Sequence, residues 1–398
     1  MPASPIRKLA PLSYEAEDRG VKIYRLNIGQ PDLPTPQKAL DALKNVDRKT
    51  LEYSPSQGYK SLRKALVSYY ERYQIKLTSD EIIITAGGSE AVLFAFMSCL
   101  NPGDEIIVPE PAYANYMAFA VSAGAVIRTV TTTIEEGFCL PKVERFEELI
   151  NERTKAILIC NPNNPTGYLY TQKEMNQIRD LVKKHNLYLF SDEVYREFIY
   201  TGSPYISAMH LEGIEQNVVL IDSVSKRYSE CGIRIGALIT KNEAVRKTVM
   251  KFCQARLSPP LIGQIVAEAS IEGTEAYSRE VYEEYLERRK CLIDGVNRIP
   301  GCYTPIPMGA FYTVAKLPVA DAEKFCEWCL SEFSWKDEHT PEGFIGETVM
   351  MAPAAGFYTT PGSGVDQARL AYVLCKEDIQ RALFVLEKAL EEYNKSKH

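Results

Sequence analysis

Excess positive charge, long apolar runs and clustered histidines are all missing from this chain. Its 398 residues carry a formal net charge of −6 and show no basic stripe interleaved with aromatic residues, so a nucleic-acid partner is not expected. No uncharged apolar run approaches the ~20 residues of a membrane span, and the N-terminus lacks the apolar core of a signal peptide. We therefore expect a cytoplasmic protein with no nucleic-acid or membrane partner.

Paired cysteines are also scarce, although the chain contains ten cysteines. All are scattered singly apart from Cys326 and Cys329, which lie on an amphipathic helical pattern. Without an export signal they are typical of reduced thiols. A zinc site needs two further ligands near this CxxC and the sequence offers none, so no metal is expected.

Short apolar segments alternate with longer amphipathic ones from about residue 81 onward. Each apolar segment ends in a turn rich in Gly, Pro, Asn, Asp or Ser, which is typical of strands. The strand candidates are residues 81–87, 105–111, 155–162, 187–193 and 218–223. This alternation predicts an α/β fold with a mostly parallel central sheet flanked by helices.

The pattern changes after about residue 280, where a long charged helix leads into short strands and helices. This region predicts a smaller α+β domain, built from both chain ends. The predicted division is an N-terminal segment of the small domain at 1–46, a large domain at 47–284 and the small C-terminal domain at 285–398.

Polar residues follow the predicted strands, at the edge where parallel sheets collect ligands. In TAGGSEAV (85–92), glycines before a helix leave backbone N–H groups free for an anion, and Ser89 caps the helix or donates its hydroxyl. An ordinary strand–helix turn is the alternative. The segment matches neither the dinucleotide nor the nucleoside-triphosphate glycine motif.

Two further strand ends carry candidate ligand groups. The rigid turn NPNNPTG (161–167) either presents the amide of Asn164 to the crevice or is a stiff loop without a ligand. Asp192 follows a buried strand, where it either stabilises a protonated nitrogen or caps a helix. Tyr195, three residues later, places a phenol in the same crevice.

The segment VVLIDSVSKRYSECGIRIG (218–236) places Lys226 where a buried strand meets a turn. A primary amine at such a strand end attacks carbonyls when it is neutral. Ser223, Ser225 and Arg234 also form a phosphate pocket, whereas an exposed lysine without function is the alternative. An anion cradle, a carboxylate, an amide, a phenol and an amine are together the groups that pyridoxal 5′-phosphate requires.

These motifs resemble those of class I aminotransferases of the fold-type I pyridoxal-phosphate enzymes, in particular aspartate aminotransferases. The resemblance covers almost the whole chain through GGS, PAY, NPNNPTG, SDEVY, the SxSK motif with an arginine eight residues after its lysine, and ARLAY. It implies that Lys226 bonds to the cofactor and then moves protons, while Asp192 pairs with the ring nitrogen. Asn164 and Tyr195 then hold the ring oxygen, and Tyr113 stacks on the ring.

The resemblance also implies residues for the phosphate and the substrate. The phosphate binders are Gly88, Ser89, Ser223 and Arg234, with Tyr53 reaching across the interface of a homodimer. The substrate α-carboxylate is assigned to Arg369, beside the backbone of Gly29 and the amide of Asn164. The segment 350–364, rich in small residues, is interpreted as a loop at the substrate mouth that moves on closure.

Donor specificity is the weaker part of the prediction. The leading hypothesis is a ping-pong aminotransferase that uses aspartate and 2-oxoglutarate, while aromatic, alanine and branched-chain donors stay open. Arg256 is a candidate for the distal carboxylate, and a structural or interface ion pair is its other interpretation. A C–S lyase or decarboxylase on the same scaffold and a non-catalytic binding module are the alternatives from other classes.

Overall fold

The structure is a computed structural model, and it describes residues 6–202, 204–272, 275–343 and 345–395. Its helices are α1 (Ala10–Asp18), α2 (Gln37–Lys44), α3 (Lys60–Glu71), α4 (Gly88–Cys99), α5 (Asn115–Ser122), α6 (Val143–Glu147), α7 (Gln172–His185), α8 (Val224–Arg227), α9 (Glu243–Arg256), α10 (Leu261–Ile271), α11 (Glu275–Val296), α12 (Ala322–Ser331) and α13 (Lys376–Lys395). Its strands are β1 (Val21–Arg25), β2 (Ile82–Thr85), β3 (Glu105–Glu110), β4 (Val126–Thr131), β5 (Thr154–Cys160), β6 (Tyr188–Asp192), β7 (Val218–Ser223), β8 (Gly236–Ile239), β9 (Tyr312–Lys316), β10 (Gly346–Met350), β11 (Ala352–Pro353) and β12 (Gln367–Ala371).

The central sheet has seven strands in the order β2-β8-β7-β6-β5-β3-β4. All neighbours are parallel except β8, which runs antiparallel to β2 and β7. Strands β3, β6 and β7 are buried along almost their whole length, as expected for a sheet covered by helices on both faces. The predicted fold class is confirmed.

The sequence patterns missed two strands of this sheet, β4 and β8. Strand β4 lies at the sheet edge with largely exposed or half-buried residues, so its sequence lacks a continuous apolar run. Strand β8 is fully buried but has only four residues, of which the first is Gly236.

The two chain ends form a second α+β layer. Strand β1 pairs in parallel with β10, from Val21 opposite Gly346 to Arg25 opposite Met350. Strands β11, β12 and β9 form an antiparallel sheet, and α1 packs on α12. The predicted boundary at 284/285 falls inside helix α11, so a helix rather than a loop joins the two parts, and the three-segment division stays a prediction.

Two observations on membranes and metals apply to the part of the chain that the structure describes. No helix there is long and apolar enough to cross a bilayer, and no group of three His, Cys, Asp or Glu residues is arranged to hold a metal ion. Cys326 and Cys329 are free thiols buried on α12, and burial raises the pKa of both.

Candidate active site

A cavity of about 1150 Å³ lies at the carboxyl ends of β5, β6 and β7, beneath the N-terminal segment and β12. Most of the side chains singled out from the sequence line it. These are Gly29, Gly88, Ser89, Tyr113, Asn164, Asp192, Tyr195, Ser223, Lys226, Arg234 and Arg369. Residues separated by up to 340 positions in the sequence therefore share one site.

Lys226 projects from a one-turn helix that begins directly after β7. Ser223 caps this turn, because its Oγ accepts a hydrogen bond from the backbone N–H of Ser225 at 3.2 Å. The Lys226 Nζ donates to the carbonyl oxygen of Gly29 at 2.8 Å and lies 3.7 Å from the Sγ of Cys231. A primary amine is thus held in the cavity wall, where it can react with a carbonyl compound.

Asp192 is the last residue of β6 and is almost fully buried. Its Oδ2 accepts a 2.6 Å hydrogen bond from the hydroxyl of Tyr116, and its Oδ1 accepts one from the N–H of Val194 at 3.4 Å. Burial raises the pKa of Asp192 to about 6, even though both hydrogen bonds act to lower it. A cationic ring nitrogen beside this carboxyl would favour its charged form, and the carboxylate would keep that nitrogen protonated.

A chain of polar groups runs along the opposite wall. Asn164 donates through Nδ2 to the Tyr195 hydroxyl at 3.2 Å, and that hydroxyl lies 3.0 Å from the hydroxyl of Tyr312. The Oδ1 of Asn164 accepts a 3.0 Å hydrogen bond from Nη1 of Arg369. Gly29 packs tightly against these groups, because a Cβ at this position would lie 1.6 Å from the hydroxyl oxygen of Tyr312.

Arg369 is a buried guanidinium that forms no ion pair with any residue in the described ranges. Its Nη2 donates to the carbonyl oxygen of Asn27, and its Nε is buried without a hydrogen-bond partner. Burial lowers the pKa of this group. A buried cation without a counterion is costly, so a carboxylate ligand at this position would stabilise the folded protein.

The far end of the cavity is built to hold an anion. Gly87 has a φ of +81° and precedes α4, whose first residues are Gly88 and Ser89. The guanidinium of Arg234 packs against Gly87, where a Cβ would lie 2.3 Å from its Nη2. Free N–H groups at a helix N-terminus beside an arginine favour a phosphate.

An aromatic wall faces this cradle. Tyr113 packs edge-on against Tyr116 with ring centroids 5.4 Å apart, and its hydroxyl accepts a 2.8 Å hydrogen bond from Asn115. Burial raises the pKa of Tyr113 to about 12, so this phenol stays neutral and offers a flat ring to a ligand.

Several cavity residues escaped the sequence interpretation. Tyr116 and Tyr312 hold Asp192 and Tyr195, while Arg7 and Arg25 line the cavity mouth. Tyr116 follows Tyr113 by three residues, a helical spacing that was a usable signal. No local pattern marks Tyr312, because its partner Tyr195 is 117 positions away.

Two predicted residues lie outside this cavity, Arg256 and Tyr53. Arg256 forms a 2.6 Å ion pair with Glu90 and donates to the carbonyl oxygen of Ser56 at 3.0 Å, which agrees with its other interpretation as an ion-pair residue. Tyr53 is 76% exposed. Within one chain, neither side chain reaches the groups around Lys226.

The segment interpreted as a loop at the substrate mouth is partly ordered into β11 and a 3₁₀ turn, Ala354–Phe357. Its first residue, Met350, lines the cavity. The guanidinium of Arg369 lies 5.0 Å from the ring centroid of Phe357. Glu110 accepts a hydrogen bond from the N–H of Thr359 at 2.6 Å, which ties the segment to the end of β3.

The fold and the cavity together define a class of enzyme that carries a phosphorylated pyridine aldehyde on a lysine. The residues present fit pyridoxal phosphate: an amine at Lys226, a buried carboxyl at Asp192, an amide and a phenol for the ring oxygen, and an anion cradle around Arg234. A second anion position at Arg369 suits a substrate carboxylate.

Comparisons with known proteins place the chain in a family. The model for aminotransferase class I and II matches residues 21–335. An aspartate aminotransferase from Pyrococcus horikoshii is 31% identical and aligns over 98% of this chain and 95% of its own length. One from Thermotoga maritima is 32% identical over 82% of this chain and 86% of its own length.

Solved structures give the same result. The aspartate aminotransferase from Thermus thermophilus with maleate has a TM-score of 0.87 at 28% identity, covering 98% of this chain and 97% of that chain. An alanine aminotransferase from Pyrococcus furiosus also has a TM-score of 0.87, at 30% identity, with 98% of both chains covered.

The chain belongs to the aminotransferase class I and II family. It is a pyridoxal-phosphate-dependent aminotransferase with amino acid and 2-oxo acid substrates. The predicted family, enzyme class and cofactor are confirmed, whereas the residue roles and the particular donor stay predictions.

Proposed function

We propose that this enzyme transfers the amino group of L-aspartate to 2-oxoglutarate by a ping-pong mechanism. The observation that carries the proposal is the charge of the cavity: five cationic side chains line it against one carboxyl group, Asp192. The five cations are Arg7, Arg25, Lys226, Arg234 and Arg369. The cofactor phosphate, the α-carboxylate and the reacting carbon account for Arg234, Arg369 and Lys226, and Arg25 pairs with Glu17 at 2.7 Å. Arg7 is then the cation of the cavity lining that is left for a second substrate carboxylate.

Relatives support the same donor. Several curated relatives are named aspartate aminotransferases, and the Thermus thermophilus structure was solved with maleate, a four-carbon dicarboxylate. Other neighbours are named alanine or aromatic aminotransferases, so those donors belong in any test.

The residues around the cavity take complementary parts in the proposed reaction. Pyridoxal phosphate, when bound, supplies an aldehyde and an electron-accepting ring. Arg369 binds the α-carboxylate of the substrate with its planar fork and so orients the bonds at Cα. Lys226 Nζ, on the same cavity wall as Gly29, takes the proton from Cα. Asp192 retains the proton on the ring nitrogen.

The cofactor itself is held at three places. Asn164 and Tyr195 bind the ring oxygen, and Tyr113 covers the ring face. The phosphate is bound by Gly88, Ser89, Ser223 and Arg234. We further propose a cytoplasmic homodimer in which the partner subunit's Tyr53 completes the phosphate site, supported by the exposure of Tyr53 and by ten free cysteines.

A donor panel on the purified, cofactor-loaded enzyme tests the proposal. With 2-oxoglutarate as acceptor, we expect kcat/KM for aspartate to exceed that for alanine, leucine and phenylalanine by about tenfold or more, because an additional charged hydrogen bond contributes on that scale. Comparable turnover of all four donors would refute the proposed specificity.

Two experiments test the reaction class: a substitution of Lys226 and an assay without the 2-oxo acid. Lys226→Ala should abolish transfer while far-UV circular dichroism stays that of the parent. Omission of the 2-oxo acid should stop steady turnover, whereas release of ammonia or carbon dioxide without it would indicate the lyase or decarboxylase alternative.

A further inference from the structure

The cationic side chains of the cavity are not equally available to a substrate. In the proposed function Arg234 faces the phosphate, Arg369 the α-carboxylate and Lys226 the reacting carbon, which leaves Arg7 and Arg25. Arg25 already pairs with Glu17 at 2.7 Å and contacts the Sδ of Met350 at 3.3 Å. Arg7 has no acidic partner among the residues that the structure describes, although it lines the same cavity.

We propose that Arg7 binds the side-chain carboxylate of the amino donor and thereby selects dicarboxylic amino acids. The inference rests on the proposed function and assigns its second carboxylate to the chain's own N-terminal segment. The sequence suggested Arg256 for this role. In the single chain, Arg256 lies outside the cavity and forms an ion pair with Glu90.

The backbone around Arg7 is tied directly to the α-carboxylate position. The Nδ2 of Asn27 donates to the carbonyl oxygen of Ile6 at 3.3 Å, while the carbonyl oxygen of Asn27 accepts from Nη2 of Arg369. Asn27 is 1% exposed, and its Oδ1 is buried without a partner. One buried residue therefore bonds both to Arg369 and to the residue before Arg7, and both arginines line the same cavity.

The flanking residues determine which way the Arg7 side chain points. Lys8 forms an ion pair with Glu323 on α12, and Leu9 is buried in the core. While these neighbours contact α12 and the core, Arg7 lines the cavity.

Arg7 also acts electrostatically on the aromatic wall. Burial raises the pKa of Tyr113 to about 12, and the positive charge of Arg7 opposes that rise. Arg7 is therefore close to the ring proposed to cover the cofactor. Arg7 is an exposed residue, so its side chain can turn onto a carboxylate.

Arg7→Gln and the matched control Lys8→Gln test the proposal on the cofactor-loaded enzyme. Lys8 is the neighbouring cation, but it pairs with Glu323 and does not line the cavity. Calorimetry measures the Kd of maleate, and steady-state assays measure kcat/KM for aspartate and alanine. We expect Arg7→Gln to weaken maleate binding about 10- to 100-fold and to lower the aspartate-to-alanine ratio by a similar factor.

The control variant and two other outcomes lead to different conclusions. Lys8→Gln should stay within about twofold of the parent in both measurements, because no substrate contact is removed. Loss of maleate binding in Arg25→Gln but not in Arg7→Gln would overturn the assignment. Equal loss of aspartate and alanine turnover in Arg7→Gln would also overturn it, since that result indicates a structural role.

Measurements on the parent enzyme distinguish a failure of the proposed function from a failure of this inference. If the parent uses alanine or phenylalanine as well as aspartate, the proposed donor is wrong. Maleate binding that still depends on Arg7 would then leave the carboxylate site standing, and maleate binding that does not depend on it would refute the site.

Discussion

Burial raises the pKa of two carboxyl groups near Lys226. Asp192 has a pKa of about 6 and faces the cavity. Glu230, four residues after Lys226, has a pKa of about 8, because burial outweighs its hydrogen bond from Ser270 and the charge of Arg227. Glu230 is 3% exposed, and its Oε2 has no hydrogen-bond partner. It is therefore a group whose proton matters for stability.

Glu230→Gln should remove a pH dependence from the stability. A carboxyl whose folded pKa exceeds the ordinary 4.5 binds its proton more tightly in the folded state. Its contribution is complete below pH 4.5 and is lost as the pH rises to about 8. The loss is on the order of 3–5 kcal/mol, so urea unfolding at pH 8.5 should show Glu230→Gln as the more stable protein.

Glu272→Gln is the control, because Glu272 is exposed just after the helix that carries Ser270. Its free energy of unfolding should follow that of the parent from pH 5 to 8.5. If the free energy of unfolding of Glu230→Gln changes with pH in parallel with that of the parent over this range, Glu230 does not retain its proton.

At the scale of elements, a buried charge network joins the end of β6, which carries Asp192, to the end of β7, which leads into the helical turn of Lys226. Glu193 and Arg196 pair at 3.1 Å just after β6, while Asp222 of β7 pairs with Arg227 at 2.8 Å. Arg196 also lies 3.7 Å from Asp222 and so links the two pairs. All four side chains are buried. The network holds the strand ends, and thus the site, in one arrangement.

Arg227→Leu should destabilise the protein by about 3–5 kcal/mol, because it leaves Asp222 buried without its closest counterion. Burial acts to raise the pKa of Asp222, but Arg227 and Arg196 outweigh it and lower that pKa to about 2. Chemical unfolding of Arg227→Leu, Asp222→Leu and the double variant measures the coupling. We expect the double variant to lose less than the sum of the singles.

Arg145→Leu provides the comparison, since Arg145 pairs with Glu148 at 2.9 Å at the end of α6 and both side chains are largely exposed. That substitution should cost less than about 1 kcal/mol. Similar losses in Arg145→Leu and Arg227→Leu would show that the buried network contributes no more than a surface pair.

At the scale of the whole molecule, the site is assembled where the two chain ends meet the central sheet. The cavity takes Arg7 and Gly29 from the N-terminal part, Asp192 and Lys226 from the sheet, and Arg369 from β12. Tyr53, predicted to act in the partner's site, does not line this cavity and is exposed.

Mixing of singly altered subunits tests that prediction. Tyr53→Ala and Lys226→Ala should each impair every site of their own homodimers. If Tyr53 acts across the interface, a mixed dimer has one site with both defects and one native site. Random reassociation should then restore about a quarter of the parent activity.

Tyr303→Ala is the control, because Tyr303 is also exposed but lies outside the cavity. Homodimers of Tyr303→Ala should keep the parent activity. When they are mixed with Lys226→Ala subunits, the activity should fall only in proportion to the share of Lys226→Ala subunits. Absence of rescue in the Tyr53 and Lys226 mixture would indicate that Tyr53 acts within its own chain or not at all.

Local patterns in the sequence were enough for the fold class and for most of the cavity. Each buried strand and the polar turn after it are contiguous, so Asn164, Asp192 and Lys226 are recognisable from their neighbours, and parallel strands place their ends together. Strands β4 and β8 were missed because one lies at the edge and the other has only four residues.

Other parts of the site depend on contacts between distant segments, which no local period encodes. Tyr312 meets Tyr195 across 117 positions, and Arg369 meets Asn27 across 342. The same holds for Arg256, whose partner Glu90 is 166 positions away, and for Arg7, which enters the cavity because Asn27 holds the preceding residue. Side-chain type and strand order follow from the chain itself, whereas the pairing of a cation with an acid or with a ligand follows from which surfaces pack together.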